Sequence, residues 1–184
     1  DAGLHSLSLS IDGFEAEHNW MRGNSNSFAR VVSAIKALAE RNITWDVITC
    51  VNNRNIATLP AFHDFLYSIG VRRWRIFTVF PAGRAVGDAE MRLSPKDMRR
   101  VMDFIVAVRK YGKIDLEYSC EGFLGEYEYK VRKEEFRCIS GVHVASVRSN
   151  GDIAGCLSMR STYTQGNIYK DSFVDAWNNR FQKF

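Results

Sequence analysis

The chain has 184 residues and a mass of 21.0 kDa, which suits one domain or a domain with a small appendage. A hydrophobic fraction of 46% excludes a disordered tail, and a net charge of +4, spread along the chain, favours a solvated surface over a nucleic-acid-binding patch. No stretch approaches the roughly 18 apolar residues that cross a bilayer, and the first residues lack the pattern of a signal peptide. We therefore expect a cytoplasmic protein that binds neither nucleic acid nor a membrane.

The first hundred residues alternate between strand and helix patterns. The predicted elements are, in chain order, a strand over 4–11, a helix over 27–42 capped by Ser27, a strand over 44–51, a helix over 58–69, a strand over 71–80 and a helix over 94–111 capped by Ser94. Residues 14–26 are predicted to form a loop. Repeated strand–helix units predict parallel strands joined by right-handed crossovers. Three such units fit either a doubly wound sheet or part of a (β/α) barrel.

The pattern changes after Gly112. It predicts a short strand over 114–119, a helical segment over 122–133 and a β-hairpin over 142–156 that turns at Asn150-Gly151. An amphipathic helix over 171–184 is predicted to bury one face, formed by Phe173, Val174, Trp177 and Phe181. We therefore divide the chain into residues 1–112, an α/β barrel segment of about three strand–helix units, and residues 113–184, a small α+β region.

Polar residues follow each of the three predicted strands of the first region. Because function gathers at the carboxyl ends of parallel strands, these residues are candidates for a binding site. They are Ser10, Asp12, His18 and Arg22 after the first strand, Asn52 and Asn55 after the second, and Pro81, Gly83 and Arg84 after the third. Their hydroxyl, carboxylate, amide and guanidinium groups suit a zwitterionic ligand. The alternative is that Asp-Gly, Asn-Asn and Pro-x-Gly are ordinary turn residues.

Four cysteines are present, and three of them are spaced by 18 residues each: Cys120, Cys138 and Cys156. Thiolates bind zinc and iron–sulfur clusters, but this spacing lacks the close CxxC pair of a zinc knuckle. A shared metal site and buried structural cysteines both remain open on these grounds. Cys50, inside the second predicted strand, is expected in the core.

The residues after the first strand resemble a known family. Ser10-Ile11-Asp12-Gly13 with His18 and Arg22 resembles the S-[LIV]-D-G-x4-H-x3-R stretch at the fourth strand of radical S-adenosylmethionine enzymes. Residues 51–52 and 81–85 resemble the segments at the ends of the fifth and sixth strands in that family. Residues 138–177, with Cys138-x2-Gly141, Gly151-Asp152, Cys156, Gly166-Asn167-Ile168 and Trp177, are similar to the SPASM or twitch extension of this family.

The resemblance implies a partial (β/α)6 barrel, a four-iron four-sulfur cluster and reductive cleavage of S-adenosylmethionine to a 5′-deoxyadenosyl radical. It implies that Ser10 and Arg22 hold the carboxylate end of that cofactor and that Asp12 points towards the substrate. Further cofactor-binding candidates are Asn52, Pro81, Gly83 and Arg84, and the candidate ligands of an auxiliary cluster are Cys120, Cys138 and Cys156.

The sequence also departs from the family pattern. The CxxxCxxC motif that binds the radical-generating cluster is absent, as are the first barrel strands, and three cysteines leave an auxiliary cluster one ligand short. We therefore expect a fragment, inactive by itself, of an iron–sulfur oxidoreductase that uses an electron donor and acts on a peptide or protein. The alternative is a non-catalytic zinc- or partner-binding α/β module. A hydrolase or transferase is disfavoured, because neither a nucleophile–base pair nor a Gly-rich phosphate loop is present.

Overall fold

The computed structural model describes residues 3–80, 83–158 and 163–181, without the side chain of Arg84. The chain forms two compact units, which divide between Phe136 and Arg137. This division lies later than the boundary predicted at Gly112. The reason is that residues 115–118 add a fourth strand to the sheet of the first unit and residues 125–131 pack beside it. None of the described helices is long and apolar enough to cross a membrane.

The first unit is a four-stranded parallel sheet in the order β1-β2-β3-β4, with helices between the strands. Its elements are β1 (Ser6–Ser10), α1 (Glu15–Arg22), α2 (Ser27–Ala39), β2 (Thr44–Val51), a 3-10 turn (Ile56–Thr58), α3 (Leu59–Ser68), β3 (Arg73–Thr78), a 3-10 turn (Gly83–Ala85), α4 (Pro95–Tyr111), β4 (Asp115–Tyr118), a 3-10 turn (Gly125–Tyr127) and α5 (Glu128–Val131). The parallel strands and crossover helices confirm the predicted fold class.

Alternation along the strands decides which face of this sheet is buried. Val47, Thr49 and Val51 are completely buried in β2, on the face that packs against apolar residues of α2, α3 and α4. Each large side chain buried there contributes about 1.5–3 kcal/mol. The opposite face carries polar residues that bond to one another, such as Arg75, whose Nη2 donates to the Ser8 hydroxyl at 2.8 Å. One face therefore forms the core, and the other carries a network of polar side chains.

Two local predictions in the first unit were wrong. Residues 15–22 form α1 rather than a loop, although His18 is its only buried residue. Ser27 is the first residue of α2 and not its cap, because its hydroxyl bonds to the ring of His18 at 2.9 Å instead. The Ser94 cap of α4 is confirmed, since its hydroxyl accepts the backbone N–H of Asp97 at 3.1 Å.

The second unit contains a small antiparallel sheet, β5 (Ser146–Val147), β6 (Asp152–Ala154) and β7 (Gly166–Asn167), followed by α6 (Phe173–Asn179). The hairpin of β5 and β6 confirms the predicted fold-back. It turns through Gly151, whose φ is 87°, and any Cβ at this position would meet the Tyr169 ring at 2.6 Å.

The buried face of α6 differs from the prediction. The core of the second unit is formed by Ile153, Ala176 and Phe181, with Trp177 packed against it. Phe173 and Val174, predicted on that face, are 38% and 65% exposed. They lie in the first turn, and the helix meets β6 and β7 through its later residues.

Candidate functional site at the carboxyl edge of the sheet

The carboxyl ends of the parallel strands bring the first candidate residues to one edge of the sheet. Ser10 is the last residue of β1, and it pairs in register with Ile48, three residues before β2 ends at Val51. The Ser10 side chain is exposed, and its hydroxyl makes no hydrogen bond within the described residues. That hydroxyl is therefore available to a ligand.

Asp12 and Arg22 form an ion pair beside Ser10. Asp12 is fully buried, and its Oδ2 accepts from both Nε and Nη2 of Arg22 at 2.7 Å, while its Oδ1 accepts the backbone N–H of Cys50 at 3.0 Å. The Asp12 carboxylate therefore accepts from protein donors, and its expected place on the substrate side stays a prediction. Arg22 is the last residue of α1, with a side chain 36% exposed, and its Nη1 has no partner among the described residues. Asp12 orients Arg22, and the N–H groups on Nη1 of Arg22 remain available to a ligand.

His18 has a structural role at this edge of the sheet. Its Nδ1 accepts the backbone N–H of Asp12 at 3.0 Å, so the ring proton of the neutral imidazole lies on Nε2, which donates to the Ser27 hydroxyl at 2.9 Å. A nucleophile–base pair requires the opposite arrangement, in which the imidazole accepts the hydroxyl proton. His18 therefore fastens α1 and α2 to the end of β1 and does not activate Ser27.

Asn55 joins the ends of β1 and β2. The sequence pattern placed Asn55 among the candidates but did not distinguish this bridging role from that of an ordinary turn residue. Its Nδ2 donates to the carbonyl of Asp12 at 2.7 Å and to that of Cys50 at 3.0 Å, and its Oδ1 accepts the N–H of Asn52 at 2.9 Å. Asn52 is 1% exposed, and its side-chain oxygen accepts the N–H groups of Arg54 and Asn55. The Nδ2 of Asn52 donates no hydrogen bond within the described residues, which leaves it free for a ligand. Gly13 is needed here, because a Cβ at its φ of 129° would lie 3.0 Å from Cβ of Glu17.

The thiol of Cys50 is half-buried rather than in the core, because it lies on the face of the sheet away from the helices. Burial, reinforced by the carboxylate of Asp12, raises its pKa to about 11. At neutral pH it is therefore a neutral thiol.

The ends of β3 and β4 carry a second polar cluster. The carboxylate of Glu121 accepts hydrogen bonds from the Thr78 hydroxyl and the Tyr118 phenol. Burial, together with the hydrogen bond to Glu121, raises the pKa of Tyr118 well above its ordinary value, so the phenol stays protonated. Beyond β3, Gly83 is exposed in a 3-10 turn, whereas Pro81 and the side chain of Arg84 lie outside the described residues.

All four cysteines are free thiols. Cys120 is an exposed residue of the first unit, and Cys138 is an exposed residue of the second. Cys156 follows β6, and its Sγ accepts the N–H of Ser158 at 3.4 Å. Within residues 3–80, 83–158 and 163–181, no three His, Cys, Asp or Glu side chains stand as a metal-binding group. The assignment of Cys120, Cys138 and Cys156 as ligands of one cluster stays a prediction.

Both units of the chain are similar to known proteins. The family model of the SPASM iron–sulfur cluster-binding domain matches residues 138–184. An AdoMet-dependent heme synthase from Methanosarcina barkeri is 26% identical over 194 residues, which cover 97% of this chain and 54% of that protein. The chain is thus similar to radical S-adenosylmethionine enzymes that carry a SPASM extension.

One further relative and two solved structures are similar to the chain over nearly all of its length. The sporulation killing factor maturation protein SkfB from Bacillus subtilis is 24% identical over 94% of the chain and 40% of its own length. The structure of anSMEcpe with bound AdoMet superimposes with a TM-score of 0.67 at 16% identity, over 97% of this chain and 52% of that one. For SuiB from Streptococcus suis bound to S-adenosylmethionine, the TM-score is 0.64 at 14% identity, over 97% and 44%. The chain thus has the fold of these radical enzymes and spans about half the length of the relatives it matches.

Proposed function

We propose that this chain supplies the later barrel strands and the auxiliary-cluster region of an iron–sulfur oxidoreductase that reductively cleaves S-adenosylmethionine to begin radical chemistry. The observation that carries the proposal is a set of unused donors on one sheet edge. They are the Ser10 hydroxyl, Nη1 of Arg22 and Nδ2 of Asn52, at the ends of β1, α1 and β2.

These donors fit the amino-acid end of S-adenosylmethionine. A guanidinium is suited to a carboxylate, and a hydroxyl and an amide add further directed hydrogen bonds. Asp12 holds Arg22 in place through Oδ2, so the donor is oriented before a ligand binds. Gly83, Pro81 and Arg84, which come after β3, complete the proposed cofactor site. When bound, S-adenosylmethionine supplies the 5′-deoxyadenosyl radical.

For the auxiliary cluster, we propose Cys138, Cys156 and Cys120 as thiolate ligands. Their free thiols fit iron, which thiolates bind well. Cys138 and Cys156 lie on the two sides of the β5–β6 hairpin, inside the region that the SPASM model matches. The fourth ligand is expected outside this set. Such a cluster supplies an electron-transfer centre, and an external electron donor is part of the proposal.

The proposed substrate is a peptide or protein. The support is that SkfB is named as a maturation protein and that related structures hold peptides, namely anSMEcpe with Kp18Cys and SuiB with its precursor peptide SuiA. A tetrapyrrole is the second candidate, because several relatives are named heme synthases or Fe-coproporphyrin III synthase. Both substrate classes require the same cofactor site, so the site is tested first.

The test uses the full-length protein that contains this chain, reconstituted anaerobically with iron and sulfide. We expect 5′-deoxyadenosine from the full-length protein with a strong reductant, and none from residues 1–184 alone, which lack the CxxxCxxC motif. Arg22→Lys keeps the charge beside Asp12 but loses the planar fork, and we expect its KM for S-adenosylmethionine to rise about tenfold. Arg30→Lys, on the exposed surface of α2, is the control and should leave KM unchanged.

Two results would contradict the proposal. The first is iron-loaded full-length protein that forms no 5′-deoxyadenosine. The second is an equal effect of Arg22→Lys and Arg30→Lys on KM. The substrate class is then decided by which of two probes, a Cys-containing peptide or iron coproporphyrin, is converted to a product detected by mass spectrometry.

A further inference from the structure

A left-handed turn follows β4 at the carboxyl edge of the sheet. Cys120, Glu121 and Gly122 have φ values of 65°, 66° and 85°. Glycine adopts this conformation readily, but Cys120 and Glu121 carry a Cβ and need a restraint to keep it. Such strain persists only where the surrounding structure holds it, and it gathers at ligand-binding sites. The turn is therefore suited to present a functional side chain.

Arg132 and Glu128 supply the restraint. The guanidinium of Arg132 is almost completely buried. It donates to three backbone carbonyls, those of Tyr118 at 3.2 Å, Gly122 at 2.9 Å and Cys120. The carboxylate of Glu128 accepts from Nη1 of Arg132 at 2.6 and 2.8 Å. The turn is thus held by a cation whose charge is already matched by a buried carboxylate.

Glu128 is fixed from several sides as well. Its oxygens also accept the N–H groups of Leu124 and Phe136 at 2.8 and 2.7 Å. Burial by itself raises the pKa of Glu128, but these N–H groups and the guanidinium outweigh it and hold the pKa below its ordinary value. The pair is therefore charged at neutral pH, and Arg132 is committed to Glu128 and to the carbonyls of the turn.

The carboxylate of Glu121 is oriented by the protein but keeps its charge. Glu121 is half-buried, and its Oε2 accepts from both the Thr78 hydroxyl and the Tyr118 phenol. In the part of the chain that the structure describes, Oε1 accepts no hydrogen bond and no cation pairs with this carboxylate. Two neutral hydroxyls fix the direction of the group without cancelling its charge. A cationic ligand that reached Oε1 would gain a charge-assisted hydrogen bond in a partly desolvated place.

Glu121 lies at the same sheet edge as the proposed cofactor site but is separated from the site's carboxylate donors. Burial, the carboxylate of Asp12 and, to a smaller extent, that of Glu121 raise the pKa of Cys50 to about 11, so Glu121 is within electrostatic reach of β2. Thr78, to which Glu121 bonds, ends β3, whereas Ser10 ends β1, two strands away or about 10 Å at the usual spacing. The ammonium of S-adenosylmethionine is on the carbon that bears its carboxylate. With that carboxylate at Ser10, the ammonium is too far from Glu121 to bind it.

We propose that Glu121 is a substrate-binding residue, whose Oε1 accepts a hydrogen bond from a primary ammonium or guanidinium group of a peptide substrate. The inference rests on the proposed function and narrows its substrate class. A lysine or arginine side chain carries such a cation on a flexible stem. The carboxylates of a tetrapyrrole, the second candidate substrate, would be repelled by Glu121. The turn held by Arg132 therefore selects a basic peptide.

The test combines two proteins with two sets of probes. The full-length protein, reconstituted anaerobically, and its Glu121→Gln variant are titrated with Cys-containing peptides that carry one lysine at each position in turn, and with the same peptides carrying glutamine there. At the preferred position, we expect the wild type to bind lysine about tenfold more tightly than glutamine. Glu121→Gln keeps an acceptor for Thr78 and Tyr118 but removes the charge. It should abolish the preference and leave the KM for S-adenosylmethionine unchanged.

Glu117→Gln is the matched control. Glu117 is another half-buried carboxylate, in β4, but Nζ of Lys133 already pairs with it at 3.1 Å. Removing its charge should leave the lysine preference as in wild type. Should Glu121→Gln not fold, Glu121→Asn replaces it, because asparagine tolerates a left-handed backbone and also removes the charge. The same loss of preference is expected from that variant.

The outcomes separate this inference from the proposed function. A full-length protein that forms 5′-deoxyadenosine but shows no lysine preference overturns the role of Glu121 and leaves the proposed function standing. A protein that forms none, but whose lysine preference is abolished by Glu121→Gln, overturns the function and supports the cation site. A preference retained without the Glu121 charge would overturn the inference. So would an equal rise in the KM for S-adenosylmethionine and in the peptide dissociation constant, since the bound cation would then belong to the cofactor.

Discussion

A buried hydroxyl at the centre of the sheet allows a quantitative test of the fold. Thr49 in β2 is fully buried, and its Oγ1 accepts from the indole Nε1 of Trp74 at 2.8 Å and donates to the carbonyl of Ile11 at 2.6 Å. One hydroxyl thus joins β2 to β3 and to the residue before Asp12. The perturbation is Thr49→Val, which keeps the shape of the side chain and removes the hydroxyl.

The expected cost comes from the two groups left without partners. A buried donor or acceptor that loses its hydrogen bond costs about 1–3 kcal/mol, and here both the Trp74 N–H and the Ile11 carbonyl lose theirs. The added methyl group returns about 0.8 kcal/mol through burial. We therefore expect Thr49→Val to lower the free energy of unfolding by about 1–5 kcal/mol.

The assay is urea unfolding of residues 1–184, followed by far-UV circular dichroism at neutral pH. Thr49→Ser is the control: it keeps the hydroxyl and loses only a methyl group, so about 1 kcal/mol is expected. The difference between the two variants measures the hydrogen bonds. A Thr49→Val variant no less stable than Thr49→Ser would refute the reasoning.

Two further predictions concern the charged groups. Asp12→Ala should destabilise the fold by about 2–3 kcal/mol, because the Cys50 N–H loses its acceptor while the partly exposed Arg22 can turn to water. Asp12→Asn keeps that acceptor and should cost less. Equal unfolding midpoints for wild type and Asp12→Ala would contradict this prediction. The pKa of Glu128 is lowered in the folded state, so its stabilisation is present above its unfolded pKa near 4.5 and is lost as the pH falls towards the folded value. Urea midpoints should therefore fall less between pH 6 and pH 3 in Glu128→Gln than in wild type, and identical acid dependence would disprove the assignment.

Much of the fold could be predicted because its signals are local. The strand over 44–51 has the predicted bounds, since its β-branched residues and alternating burial are properties of adjacent positions. The same holds for α4, where Ser94 and Pro95 mark the helix start. By contrast, α1 has no apolar periodicity, and its anchors are long-range bonds, such as that from the Phe28 N–H to Asn19. The residues adjacent to α1 in the sequence do not predict these hydrogen bonds.

The candidate site likewise has features that local sequence predicts and features that depend on long-range contacts. The motif from Ser10 to Arg22 and the cysteines of the second unit resemble patterns of one family, and the comparisons find similarity to the same group of proteins. The motif did not show that Asp12 is buried and bonded to Arg22 and Cys50, because that depends on β2 pairing with β1.

By itself, the sequence determined the alternation of strands and helices, the Ser94 cap of α4 and the chemistry available at the strand ends, because these depend on neighbours within one turn or one strand. Only the tertiary structure decided which of those groups are spent on the protein and which stay free. Asp12 is occupied by Arg22, while the Ser10 hydroxyl and the Asn52 amide keep their donors. The hold of Arg132 on the turn at Cys120 joins residues 12 positions apart through a buried cation, and only the folded backbone brings those carbonyls together.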